Sequence, residues 1–241
     1  MNTASPNNQY AIKEFSRFSK DYNSYNQIQA QVAKQLIDKL PHDHYAAIAD
    51  IGCGTGALYN CLINSEISFE RLIALDASEQ MLLLHPSDKR AITQYFDFNE
   101  PSSFASIKDK FDLVLSSSAL QWSKDLDWTI SQLVHMGDNF YGAIFTSNTF
   151  KTLHETASVK SPIYSANDIK KAFDKSYKDT QYDIYRYKLY FDSPKDLFNY
   201  IKKSGVSGGE QKLSYKQTKI LMREYPLDYL EFEVVFIEAS N

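Results

Sequence analysis

The chain has 241 residues, 43% hydrophobic and 23% charged, the proportions of an ordinary folded protein with enough apolar surface for one good core. A formal net charge of −4 argues against a nucleic-acid binder that works through bulk electrostatics, and no run of about 18 apolar residues offers a membrane span. Two cysteines, Cys53 and Cys61, and five scattered histidines give neither a disulfide framework nor a ligand spacing, so no metal is expected; the polar stretch Met1 to Asn8 is not signal-like, and the cytoplasm is the expected location.

In chain order, residues 1–27 are polar with interleaved aromatics, Tyr10, Phe15, Phe18, Tyr22 and Tyr25, spaced by three or four from Phe15 onward, which predicts an irregular helical segment packed on one side. Ile28, Val32, Leu36 and Leu40 then share one face of a helix ending before Pro41. The apolar run Ala46–Ile51 reads as a buried strand. It breaks into Gly52-Cys-Gly-Thr-Gly56 and a helix from Ala57. Arg71–Asp76 is a second strand, followed by a helix that Ser78 caps and that carries Met81. Ala91–Phe96, Phe111–Leu115 and Tyr141–Thr146 are the third, fourth and fifth strands, with a helix near 125–136. Near-continuous apolar strands alternating with helices predict a parallel sheet covered on both faces.

Beyond residue 147 the stretch to about 180 is polar and lysine-rich, with one short helix near Asn167–Asp174. An alternating strand at about 181–191, helices at 194–203 and 214–223, and a last strand over Tyr229–Glu238 predict an antiparallel hairpin added to the sheet. No internal repeat or boundary appears, so 1–241 is expected to be one domain, with an N-terminal helical cap over 1–40 and a substrate-side insertion over 147–180.

The glycine turn offers backbone N–H groups and close approach to a ligand, and Gly52, Gly54 and Ala57 also satisfy a dinucleotide pattern, so the turn alone leaves the cofactor open. Asp50, Asp76 and Asp97 each follow a strand end and would converge on one crevice at the carboxyl edge of the sheet. Asp76 stands where an acid accepts ribose hydroxyls, or alternatively caps the next helix. Asp50 and Asp97 favour the sulfonium and ammonium of S-adenosylmethionine over a pyrophosphate, which like charge would repel. The expected cofactor site is Asp50, Gly52, Cys53, Gly54, Gly56, Asp76, Ala77, Met81, Asp97, Phe98, Ser116 and Ser117.

Gly52-Cys-Gly-Thr-Gly56 with Asp50 and Asp76 resembles the motifs of class I methyltransferases, which implies a Rossmann-like α/β fold with a seven-stranded, mostly parallel sheet. Phe15-Ser-Arg-Phe-Ser-Lys-Asp-Tyr22, Gln27–Ala33, Ala119-Leu-Gln-Trp122, the Lys203–Gly209 stretch and the Tyr225–Tyr229 lead-in are similar to the malonyl-[acyl-carrier protein] O-methyltransferases of biotin synthesis. The link after Gly205 is shorter than that pattern, and 147–180 follows it only in outline.

The resemblance implies methylation of the free carboxylate of a malonyl thioester, on acyl-carrier protein or coenzyme A; a monomer is one option for a chain whose sequence leaves the oligomeric state open. A carboxylate already ionised at neutral pH needs alignment and dryness rather than a base. Tyr22, Gln121 and Trp122 are the candidates for holding it, although Tyr22 and Trp122 could simply pack, and Arg17 could pair the carboxylate or sit at the surface. Lys216, Lys219 and Arg223, with Lys170-Lys171 and Lys202-Lys203, could dock an acidic carrier or be solvated helix faces. Another class I methyltransferase, or a non-catalytic protein that binds the same cofactor, are the competing readings. The absence of an Asn-Pro-Pro-Tyr tetrad after strand four disfavours a nucleic-acid substrate.

Overall fold

The apolar run before the glycine turn is the centre of the sheet: in the computed structural model it forms β1 (His44–Ile51), paired in parallel on both sides. The structure describes residues 26–203 and 215–241, with backbone alone at 202, 203 and 215–217. β2 (Ser68–Asp76) and β4 (Leu113–Ser117) flank β1, with β3 (Ala91–Tyr95) outside β2 and β5 (Asn139–Phe145) outside β4. β6 (Asp179–Tyr190) and β7 (Tyr229–Ser240) form the expected antiparallel addition, and the seven-stranded order is β3-β2-β1-β4-β5-β7-β6. Strand order reverses at β1 and β4, which leaves a crevice over their carboxyl ends.

The helices in chain order are α1 (Gln27–Ile37), α2 (Ala57–Ile63), α3 (Glu79–Leu82), α4 (Pro101–Ser106), α5 (Leu126–Leu133), α6 (Lys151–Ala157), α7 (Ala166–Asp174), α8 (Pro194–Lys203) and α9 (Tyr215–Glu224). Side chains alternate across a strand, so β1 sends Ile48 into one apolar layer and Ala47, Ala49 and Ile51 into the other. The first layer is closed by Ile28, Val32 and Leu36 of α1, Leu58 and Leu62 of α2, and Leu197 and Leu221 of α8 and α9. Ile130 and Leu133 of α5 and Ile169 and Phe173 of α7 close the second. Each fully buried aliphatic side chain contributes about 1.5–3 kcal/mol.

This division corrects one reading of the lysines. Lys170 and Lys171 belong to α7, on the opposite face of the sheet from α8 and α9, so the basic residues do not gather on one surface; the side chains of Lys202, Lys203 and Lys216 lie outside the described residues. Of the expected N-terminal cap, α1 is described, and the aromatics from Tyr10 to Tyr25 fall outside. β4 starts at Leu113 rather than Phe111, which makes only a single bridge to Gly137. Helices α4 and α6 go beyond the sequence expectation, because α4 buries only Ser103 and α6 only Leu153, and neither therefore shows an apolar period. Among the described residues no helix is long and apolar enough to cross a membrane, and no group of side chains gathers to hold a metal.

The loop after β5 is pinned to β7 by Glu233, whose carboxylate is 4% exposed and accepts from Thr146 Oγ1 at 2.8 Å, Asn148 Nδ2 at 2.8 Å and Arg186 Nε at 2.9 Å. Burial pushes the Glu233 carboxyl up, but these donors together outweigh it and hold the group below the usual range. The Arg186 side chain is 77% exposed, so its ion pair adds little. Glu233→Ala is expected to cost about 2–3 kcal/mol in urea unfolding, by stranding the Thr146 and Asn148 donors, while Arg186→Ala costs less than about 1 kcal/mol. Equal losses would reassign the anchoring to the arginine.

Candidate active site

The turn after β1 takes the conformation its glycines allow: φ is +71° at Gly52, +55° at Gly54 and +86° at Gly56. Two of these positions are also tight. A Cβ on Gly52 would stand 2.2 Å from Ala119 Cβ, and one on Gly56 would stand 2.7 Å from Pro86 Cδ. At Gly54 a Cβ would meet nothing within 4 Å, which leaves the backbone open to an incoming ligand. The N–H groups of Gly52 and Cys53 donate to Leu75 O at 2.7 and 3.0 Å, so the turn leans on the end of β2.

Over it lies a crevice of about 870 Å³, open on one side and lined by Asp50, Gly52, Cys53, Gly54, Asp76, Ala77, Met81, Phe98 and Ser117 among the expected residues, and by Trp122. Gly56, Asp97 and Ser116 are not in its wall. Gly56 packs on His85 and Pro86; Ser116 Oγ donates to Ile51 O at 2.9 Å and ties β4 to β1. The Asp97 carboxylate accepts from Asn99 N at 2.9 Å and Asn99 Nδ2 at 3.1 Å through one oxygen, stabilising the turn after β3. Cys53 is buried, which pushes its thiol up and keeps it protonated and inert.

The two acids that do reach the crevice differ. Asp76 accepts from Gly54 N at 2.9 Å through one oxygen and from Ser78 N at 2.8 Å through the other, which fixes its orientation and leaves lone pairs facing the crevice. Burial raises its pKa, against the lowering effect of these N–H donors. Asp50 is fully buried, and neither of its oxygens has a hydrogen-bond partner among the described residues. Burial, with a smaller push from the Asp76 carboxylate, raises the Asp50 pKa to about 8. A carboxylate left in this state is costly until a cation joins it. An orphaned acid, an open glycine backbone and a crevice of small-molecule size together fit S-adenosylmethionine.

A second, much smaller chamber adjoins the crevice across Gln29, Ser118 and Trp122. It is lined also by Gln121, Phe145, Thr149, Phe150, His154, Ser161, Pro162 and Ile163. Gln121 and Trp122, expected near the acceptor, sit on a single 3₁₀ turn, Leu120–Trp122. Gln121 faces this chamber and Trp122 borders both, while Tyr22 and Arg17 lie outside the described residues. Sequence reasoning misses Gln29 and His154. A polar Gln29 within the buried stripe 28, 29, 32, 33 and 36 of α1 is the signal that could have found it; His154 offers none, since α6 has no period.

The fold, with β7 antiparallel at this place in the sheet, and the site define the chain as a class I S-adenosylmethionine-dependent methyltransferase. The profile of a family described as "Methyltransferase domain" matches residues 49–136. The chain is 27% identical, over 88% of its length and 83% of the other's, to the malonyl-[acyl-carrier protein] O-methyltransferase of Acetivibrio thermocellus. It is 24% identical, over 98% and 97%, to the protein of the same name from Neorickettsia risticii. Among solved structures, YcgJ from Bacillus subtilis superposes with a TM-score of 0.64 at 12% identity, covering 88% of this chain and 98% of that one. The plantazolicin methyltransferase BpumL in complex with SAH gives 0.56 at 15%, covering 97% and 95%.

Asp50 sets a proton balance. Its folded pKa is raised, so its contribution to the stability of the ligand-free protein is complete below the ordinary aspartate range, near pH 4, and is lost as pH rises through about 8. At pH 7 the ligand-free group is mostly protonated, and a cationic ligand expels the proton. Calorimetry of S-adenosylmethionine binding in buffers of different ionisation enthalpy is expected to show release of about one proton at pH 7. The Asp50→Asn variant should release almost none at that pH; an unchanged proton count in that variant would remove the assignment.

Proposed function

We propose that this methyltransferase esterifies the free carboxylate of a malonyl thioester, carried on acyl-carrier protein or coenzyme A, as a step toward a biotin precursor. The observation that carries the reading is the similarity, over nearly the whole chain, to proteins named for that reaction. The Ala119–Trp122 signature adds to it, because Ala119 and Trp122 line the crevice and Gln121 and Trp122 line the chamber beside it.

Bound in the crevice, S-adenosylmethionine supplies a methyl on a sulfonium, which passes to an acceptor oxygen as the S–C electron pair returns to sulfur, with no proton to move. Asp76, held by Gly54 and Ser78, accepts ribose hydroxyls. Asp50 faces the cationic amino-acid end, and Gly52, Cys53 and Gly54 let the backbone approach. Ala77, Met81, Phe98 and Ser117 complete the wall. For the acceptor the chain needs only to hold a carboxylate in line and exclude water, which suits Trp122, 5% exposed, and Gln121, 4% exposed. Tyr22 belongs to the same proposal as a phenol able to donate to the carboxylate.

Purified protein incubated with S-adenosylmethionine and malonyl-acyl carrier protein or malonyl-CoA is expected to yield a methyl ester 14 Da heavier than the substrate by mass spectrometry, about one CH₂, with acetyl thioesters unmodified. Tight cofactor binding with every malonyl thioester left intact would sink the reading and favour another acceptor.

A further inference from the structure

The chamber beside the crevice holds four buried polar atoms with no hydrogen-bond partner among the described residues: Gln29 Oε1, Gln121 Oε1, His154 Nδ1 and Ser161 Oγ. Folded proteins satisfy nearly all such atoms, because one left unmet loses its hydration with nothing in return. Four on one small cavity are groups held ready for what the cavity receives. Backbone strain gathers there too. Ser118 and Phe150, both in its wall, have φ of +61° and +57°, a left-handed conformation that side-chain-bearing residues rarely adopt. Each is held there by tertiary bonds, Ser118 N donating to Ala143 O at 2.8 Å and Phe150 N to Glu231 O at 2.8 Å.

The four groups define a ligand chemistry. Gln121 Nε2 donates to Ser118 O at 2.6 Å, which fixes that amide and leaves its oxygen as an acceptor. The Ser161 hydroxyl and the His154 ring can donate. Burial lowers the His154 pKa, so the ring is neutral at pH 7. Among the described residues that line it there is no lysine or arginine.

We propose that this chamber receives the methyl acceptor, and that His154 and Ser161 hold its carboxylate through hydrogen bonds from neutral donors. The identity of the acceptor rests on the malonyl reading above; the place of binding rests on the chamber. Neutral donors orient an anion without cancelling its charge, so the oxygen keeps its nucleophilicity. Bonds to an ionised acceptor are about twice as strong as bonds to a neutral one, so the ester, which has no charge, is held more weakly and leaves. The amide oxygens of Gln29 and Gln121 accept N–H groups from the remainder of the ligand.

The test uses wild type, His154→Ala, His154→Gln and Ser161→Ala, assayed with S-adenosylmethionine and malonyl-CoA or malonyl-acyl carrier protein. His154→Ala is expected to lower kcat/KM about tenfold or more, chiefly through KM, and His154→Gln, which keeps a neutral donor, to restore most of it. S-adenosylhomocysteine affinity by calorimetry should stay within about twofold in each variant, which shows a folded cofactor site. In parallel, the His154 ring signals of wild type saturated with S-adenosylhomocysteine, recognised by their absence in His154→Gln, should shift saturably as malonyl-CoA is added. An active wild type whose kcat/KM is unaltered by His154→Ala, or a ring that does not shift, overturns the chamber assignment while the malonyl reading stands. A wild type that forms no ester sinks the malonyl reading, and the ring titration alone then decides the chamber.

Discussion

A buried acid with no partner among the described residues, at the end of the central strand, is the condition to which the rest of the site answers. Asp50 sits where β1 gives way to the glycine turn, and it cannot be relieved by moving outward, because β2 and β4 cover it on both sides. The neighbouring strands cannot supply a cation either, since their carboxyl ends bring Asp76 on one side and serines on the other. Relief has to come from above, through the crevice. The close fit of Gly52 against Ala119 belongs to the same constraint, because it draws the loop after β4 onto the turn after β1 and closes the floor beneath the ligand.

Two cavities with different electrostatics then share a wall. The crevice is built around acids and takes a ligand with positive charge, whereas the smaller chamber holds uncharged polar groups and a neutral imidazole. Trp122 and Gln29 stand between them. An acid-lined crevice and a pocket lined by uncharged polar groups are thus separated only by Trp122, Gln29 and Ser118, so charge in one acts on the other through protein rather than bulk solvent.

Much of this is legible in the sequence, and particular residues show why. The strands stand out because buried parallel strands are near-continuous apolar runs. Asp50 and Asp76 stand out because an acid closing such a run is costly to bury unless a ligand or a turn meets it. Asp97 looks identical by that criterion, yet its carboxylate bonds Asn99 two residues on, and a local turn of this kind leaves no mark that separates it from a ligand contact. The lysines of α7 and α8 read as neighbours because sequence does not say on which face of a sheet a helix lands. His154 is invisible for another reason: its meaning lies in a chamber assembled from α1, the 3₁₀ turn after β4 and the segment around Ser161, none of which points to the others in sequence.

The anchoring of the loop after β5 has a consequence for the order in which the molecule is made. Phe150 and Thr152 bond to Glu231, and Thr146, Asn148 and Thr149 bond to Glu233, so the segment that carries one wall of the smaller chamber takes its shape from β7. Among the described residues the donor crevice is lined by residues up to Trp122, with Ser118 of its wall bonded to Ala143 of β5. On a ribosome that wall therefore cannot take its shape until the strand that anchors it, about eighty residues further along the chain, has been made.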